Sequence, residues 1–283
     1  LKVKAAGINP IDAKIREGSS FVAQTLELPA GMGFDVCGEV VEAGSNITEF
    51  KIGDIVLGSV GKYHNPSAYA EFCVASPKDI VIKPEGLDNI YAGALTMVGL
   101  TAWQAVNTFG KVSKGERVLI HAGAGGVGHM AVQYAKLAGA YVITTSSGSH
   151  REFLENLSVD QIINYETEAF DKILKDVDLV IDLIGGNVGI LSLKVLKQGG
   201  RIVTVPTITR DQILAEAKKL GINATGMIAE TIPADLKKIS ELAAENKVNL
   251  VIARKFAMQD AAKAHAALAQ PNNNGKIVLV ADE

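Results

Sequence analysis

A short strand, VLIHA (Val118 to Ala122), runs directly into Gly123-Ala124-Gly125-Gly126-Val127-Gly128 and then into the amphipathic stretch VGHMAVQYAKLAG. This order of strand, turn and helix constrains the chain more than any other feature. G-x-G-x-x-G in that setting is the opening βα turn of a doubly wound sheet that binds a dinucleotide. Gly123 is expected to make the tight turn, Gly125 to let backbone approach a pyrophosphate, and Gly128 to let helix pack closely on strand. The helix N-terminus beyond, through Ala124, Gly126 and Val127, offers free N–H groups and a positive dipole end to phosphates. A glycine-rich βα turn without a ligand is the plainer alternative.

The surrounding pattern agrees. YVITTS (Tyr141 to Ser146), QIINY (Gln161 to Tyr165), DLVIDLIG (Asp178 to Gly185) and GGRIVTVP (Gly199 to Pro206) are apolar runs separated by helical stretches, as buried parallel strands require. Ligands bind at the carboxyl ends of such strands, which adds Ile184, Gly185 and Val205 to the cofactor candidates. Residues before about 95 are different in character. GEVVEAG, DIVLGSV, AEFCVA and IVIKP are short β-type runs bounded by turns. The tail adds a helix, MQDAAKAHAALAQ, and a last strand, KIVLV.

Composition narrows the class. A net charge of -3, with both signs interspersed, lacks the basic stripe of a nucleic-acid surface. No apolar run approaches the ~18 residues of a membrane span, and the first residues have no signal-peptide pattern. Only Cys37 and Cys73 occur, without clustered Cys/His spacing, so neither a disulfide framework nor a structural zinc site is expected. A reducing cytoplasm is the simplest compartment.

Cofactor choice turns on the end of YVITTS. An NAD enzyme usually places Asp or Glu there, on the ribose 2′-hydroxyl. This chain has Thr144-Thr145-Ser146-Ser147-Gly148-Ser149-His150-Arg151, with no carboxylate before Glu152. Small hydroxyls and a guanidinium suit a 2′-phosphate, so Ser146, Ser147 and Arg151 are assigned to it and NADPH is the expected cofactor. Arg151 as a solvated residue at a helix start is the other reading. Tyr165 either closes over the same phosphate or is a half-buried strand tyrosine.

Several further segments complete a pattern. AAGINPIDAKIREG, GFDVCGEVVEAGSNITEFKIGDIVLG, SAYAEF, GLTAWQAV, AGAGGVG and GGRIVTV follow one another in the order of the medium-chain dehydrogenase/reductases. The chain resembles their zinc-free quinone oxidoreductase and alkenal/enone reductase branch along its whole length. The resemblance implies an α/β architecture: a GroES-like β-rich catalytic domain (1–95 and 253–283) around a Rossmann NADPH-binding domain (96–252). It also implies that about one hairpin of N-terminal sequence lies outside this chain. Zinc-dependent relatives place Cys at Asn9, His-Glu at Phe34-Asp35 and a third ligand near Met97-Val98. With Asp35 the only donor of that kind here, no metal is expected.

Without a Lewis acid the acceptor must be electrophilic already, a quinone or the C=C of an enone or alkenal. Hydride transfer to either builds negative charge on oxygen, which calls for a donor or cation nearby. The resemblance places Asn9 near the nicotinamide, Lys14 in the D-x-K pattern of related enone reductases, and Thr101 on the cofactor. The plainer readings are an Asn-Pro turn, a surface lysine paired with Asp12 or Glu17, and a capping or packing threonine. Tyr63 and Tyr69 border the pocket or only cover core. None of the five histidines joins a Ser or Cys nucleophile signature, so a hydrolase is not expected. His129 either touches a phosphate or is a solvated helix residue. An enoyl-thioester reductase, a non-catalytic NADPH-binding redox sensor and an RNA-binding side role are the competing functions. The family's habit of pairing Rossmann domains implies a homodimer through a β-rich edge near residues 221–252.

Overall fold

The computed structural model describes residues 1–20, 22–61, 65–270 and 273–281. In chain order it contains β1 (Lys2–Ile8), α1 (Pro10–Arg16), β2 (Asp35–Glu39), β3 (Ile55–Ser59), β4 (Ile80–Ile82) and α2 (Asn89–Trp103). There follow β5 (Arg117–Ile120), α3 (Gly126–Leu137), β6 (Tyr141–Ser146), α4 (Arg151–Asn156), β7 (Gln161–Asn164) and α5 (Phe170–Ile173). Next are β8 (Val177–Asp182), α6 (Gly186–Ser192), β9 (Leu196–Thr204), α7 (Arg210–Lys219) and β10 (Asn223–Gly226). The chain ends with α8 (Pro233–Ala244), β11 (Ile252–Ala257), α9 (Ala261–Leu268) and β12 (Lys276–Val280).

Two compact units result, Leu1–Leu100 with Glu230–Glu283, and Thr101–Ala229. The return to the first unit therefore falls at Glu230 rather than 253, and the crossing near 100 lies within α2. The physical reason is α8, an amphipathic helix whose Ile239 meets the backbone of Gly99, while Asn249 accepts a hydrogen bond from the Tyr91 hydroxyl at 2.5 Å. The segment expected to be β-rich holds this helix, with the four-residue β10 before it and β11 starting only at its last residue.

In the first unit the strand order is β11-β12-β1-β2-β3-β4. β1 pairs antiparallel with both β2 and β12, while β11 runs parallel to β12. Val3, Ala6 and Ile8, put on one face by the irregularity between Val3 and Ala5, meet Val36, Ile277 and Leu279 in one buried cluster, capped by Ala264 and Ala267 of α9. AEFCVA forms no strand, only a single bridge from Phe72 to Lys2. The strand expected over residues 38–44 lies earlier, as β2, because Asp35 and Val36 are already paired with β1 and β3.

The second unit is a parallel sheet of order β10-β9-β8-β5-β6-β7. Leu119, Ile143, Ile163, Val180 and Ile202 form its buried layer. Sequence order reverses between β5 and β8, so the loops after those strands flank the crevice in which such sheets take their ligands. Among the described residues, no helix is long and apolar enough to cross a membrane.

Candidate functional site

The loop after β5 is set by a chain of buried hydrogen bonds. Ala122 adopts φ 53°, and its N–H donates to Thr145 Oγ1 at 3.3 Å. His121 Nδ1 lies 3.0 Å from the same hydroxyl, and its Nε2 lies 2.8 Å from Ser192 Oγ, which donates to Val188 O at 2.7 Å. With that serine proton committed, His121 donates from Nε2 and accepts at Nδ1, which is the neutral form. Burial agrees, pushing its pKa down to about 4. A histidine and a serine meet here, but both are buried and the serine proton is held by Val188 O, so the pair is no nucleophile site.

The left-handed turn consequently belongs to Ala122 and not to Gly123. Gly123 is needed for a different reason: a Cβ there would sit 2.0 Å from Thr144 Oγ1 of the neighbouring strand. Gly128 fits its expected role, since its Cβ would lie 2.0 Å from the Ala122 carbonyl. Gly125 caps α3, and around its missing Cβ only the Ala122 carbonyl, at 3.3 Å, comes within 4 Å. That open cradle, at the N-terminus of a twelve-residue helix whose first N–H groups have no intrahelical acceptor, fits a pyrophosphate. His129 is fully buried with Nδ1 2.8 Å from Gly125 O, so it is neither solvated nor turned to a phosphate.

The end of β6 lies beside the end of β7. Ser146 pairs with Asn164, and Tyr165 N–H donates to Ser146 O at 3.1 Å. Ser146 Oγ donates to Ser147 O, Ser147 Oγ lies 2.9 Å from Ser149 Oγ, and both Ser146 and Ser147 are largely buried. Arg151 is exposed on α4 with Glu155 3.5 Å away, and Tyr165 is 62% exposed rather than half-buried. The three residues assigned to a 2′-phosphate, Ser146, Ser147 and Arg151, thus gather with Tyr165 at one edge of the second unit. A carboxylate missed by the sequence reading joins them: Gly148 N–H donates to Glu166 Oε2 at 3.0 Å. At the end of β8, Asp182 Oδ1 accepts from the N–H groups of Ile184 and Gly185, and Thr204 donates to Oδ2. Val205 N–H donates to Asp182 O, which brings Ile184, Gly185 and Val205 together. Thr101 is buried in the last turn of α2, and no described hydrogen bond ties it to the glycine loop.

The first unit holds a buried charged centre. Asn9 caps α1 and Pro10 starts it, so Asn-Pro opens a helix and not merely a turn. The Asn9 amide donates through Nδ2 to Asp35 Oδ2 at 2.9 Å, and its Oδ1 accepts from Lys276 Nζ at 2.6 Å. Lys276 also donates to Ile8 O at 2.6 Å and lies 3.7 Å from Asp35 Oδ2. Met97 N–H donates to Asp35 Oδ1 at 3.0 Å. Asp12 Oδ2 accepts from Asn9 N–H and from the Tyr69 hydroxyl, each at 2.8 Å, and Tyr69 stands edge-on to His265. Burial raises the Asp35 pKa, against the lowering pull of Lys276, and lowers that of Lys276, against Asp35 and Asp12. Burial lifts Asp12 to about 7.

Lys14 is exposed on α1, outside this centre, and neither sequence partner holds it: Asp12 faces the core and Glu17 pairs with Arg16. Tyr63 and His64 lie outside the described residues. The lysine that meets Asn9 is Lys276, a residue the sequence reading did not single out. Among the described residues, no group of three His, Cys, Asp or Glu side chains could hold a metal ion. Asp35, the one donor at the corresponding positions, has both oxygens occupied by Met97 N–H and the Asn9 amide. Among the described residues, Asp35 alone at these positions does not make a zinc ligand set.

Comparison with known proteins shows the family of the chain. Residues 1–85 match the family described as alcohol dehydrogenase GroES-like domain, and residues 157–279 match zinc-binding dehydrogenase. A mitochondrial NAD(P)H oxidoreductase of Danio rerio is 33% identical over 263 residues, covering 86% of this chain and 66% of that protein. The chain thus spans just under two thirds of that relative. A chloroplast envelope quinone oxidoreductase homolog of Arabidopsis thaliana is 30% identical, covering 99% of this chain and 88% of its own. The structure of a quinone oxidoreductase from Coxiella burnetii superposes with a TM-score of 0.96 at 45% identity, covering 99% of this chain and 89% of that one.

Proposed function

Since this chain belongs to the medium-chain dehydrogenase/reductase family, in its quinone oxidoreductase and alkenal/enone reductase branch, we propose that it is a zinc-independent NADPH oxidoreductase acting on a quinone or on the C=C of an enone or alkenal. The observation that carries the cofactor half is the open cradle at Gly125, at the switch point of the sheet and at the head of α3. Bound NADPH supplies a hydride. The chain's own residues hold the cofactor and shape the field around it: Gly123 to Gly128 receive the pyrophosphate, and Ser146, Ser147, Arg151 and Tyr165 surround the 2′-phosphate. Ile184, Gly185 and Val205 line the end of β8, and Thr101 is assigned to the cofactor as well.

The acceptor half rests on the buried centre. Lys276 fixes the Asn9 carbonyl oxygen inward, so what the Asn9 amide has left to offer is a donor, one N–H of Nδ2. A donor held in a fixed orientation favours charge developing on an acceptor oxygen. Lys14 and Tyr63 remain proposed contributors to proton supply and substrate contact. We place the protein in the cytoplasm as a homodimer, which a native mass of one chain at micromolar concentration would refute.

The reading is tested by following NADPH oxidation with an enone, a simple quinone and a saturated aldehyde, with and without chelator. Chelator-resistant turnover of the enone or quinone is expected. Activity on the aldehyde alone, abolished by chelator, would refute it. For the 2′-phosphate assignment, Arg151→Ala is expected to weaken NADPH by roughly 1–3 kcal/mol, as for a charge-assisted contact, and NADH far less. Equal losses for both cofactors, measured by titration, would return Arg151 to the solvated surface.

A further inference from the structure

The carboxylate absent from the end of β6 is supplied by the end of β7. Three observations place it. Ser146 and Asn164 are paired at the ends of adjacent parallel strands, so the loops after them leave the sheet side by side. Asn164 Oδ1 accepts from Glu166 N–H at 3.1 Å, which turns the chain back toward residue 148. Glu166 Oε2 then accepts from Gly148 N–H at 3.0 Å, and a Cβ on Gly148 would lie 3.0 Å from Asn164 Nδ2 and 3.7 Å from Glu166 Oε2. The fit is close. Of the nearby groups, the guanidinium of Arg151 is turned to Glu155, and Glu168 accepts from Asn164 N–H at 3.0 Å. Glu166 is the carboxylate that reaches the loop following β6.

We propose that Glu166 is a specificity-determining residue for the cofactor, one that accepts from a ribose 2′-hydroxyl and opposes a 2′-phosphate. The chemistry is that of a carboxylate at a Rossmann strand end, where it accepts a hydroxyl proton but repels an added dianion. A 2′-phosphate seated by Ser147 and Arg151 has to share its surroundings with this charge and displace it from Gly148 N–H. The chain therefore tolerates NADH more, and prefers NADPH less, than its serines and arginine alone imply. This proposal rests on the cofactor assignment made above and gives it a limit.

The test is direct binding to the full chain, with no acceptor present. Dissociation constants for NADPH, NADH and adenosine 2′,5′-bisphosphate are measured by calorimetry for wild type and Glu166→Gln at low and high salt. Glutamine keeps an acceptor for Gly148 N–H and removes only the charge. NADPH and the bisphosphate are expected to tighten about tenfold in Glu166→Gln, the order for losing one carboxylate beside a phosphate. NADH is expected to be unchanged or weakened, and the gain for NADPH to shrink at high salt. Unchanged NADPH affinity, or equal tightening of NADH, would overturn the role of Glu166 while leaving the site itself in place. If the wild type binds neither dinucleotide, the cofactor assignment fails first and this inference with it.

Discussion

Lys276→Met is expected to cost about 3–5 kcal/mol of folding stability at neutral pH, the range for removing one member of a buried ion pair. Methionine matches the length of the stem, so packing is nearly conserved and the loss is electrostatic. Asp35 would be left fully buried without a counter-charge, and Ile8 O and Asn9 Oδ1 would each lose a donor. The loss is expected to shrink as pH falls, because burial already raises the Asp35 pKa and a proton can replace the missing cation. Adding Asp35→Asn to Lys276→Met should recover part of the stability, since the pair is then removed together. Urea unfolding of wild type and the two variants at two pH values checks this. A Lys276→Met protein as stable as wild type would mean that the pair contributes nothing and that Asn9 is held by other contacts.

The second large effect is a stability that falls as the solution becomes less acidic. The Asp12 pKa is raised from 3.8 to about 7, by burial above all, against the lowering hydrogen bonds from Asn9 N–H and Tyr69. Between roughly pH 4 and 7 the folded protein keeps a proton that the unfolded chain has lost, so stability declines with rising pH and levels off above the folded value. At 1.36 kcal/mol per pKa unit, the decline due to Asp12 amounts to roughly 4 kcal/mol at most. Asp12→Asn retains an acceptor for Asn9 N–H and Tyr69 but does not titrate. Its stability relative to wild type is therefore expected to be higher at pH 8 than at pH 5. An identical difference at both pH values, from urea unfolding, would show that Asp12 ionises normally in the folded protein.

Local pattern was enough for the second unit. Strand, glycine loop and helix occur as consecutive residues, and buried parallel strands announce themselves as apolar runs, so β5 to β9 were all legible from Val118 to Pro206. The turn chemistry was only partly so. Gly123 was expected to bend the chain, yet Ala122 takes the left-handed conformation because Thr145, His121 and Ser192 hold it there. His121 follows β5, Thr145 lies on β6 and Ser192 ends α6, and their meeting is decided by strand order. His129 was misjudged for a related reason, since helical spacing alone did not reveal that its face is covered.

What the sequence by itself determined is the Rossmann unit, the cradle at Gly125 and the family pattern that runs through the whole chain, because each depends on neighbours within one motif. Only the tertiary structure decided the charged groups. Lys276 begins a strand after a polar turn and reads as a surface residue. Antiparallel pairing of β12 with β1 aligns Ile277 with Ile8 and carries its ammonium under Asn9 and Asp35. Glu166 lies in the turn after β7, distant in sequence from the loop it joins, and only the parallel pairing of β6 with β7 delivers it to Gly148. A charge is placed by whatever packs around it, and residues distant in sequence supply that packing.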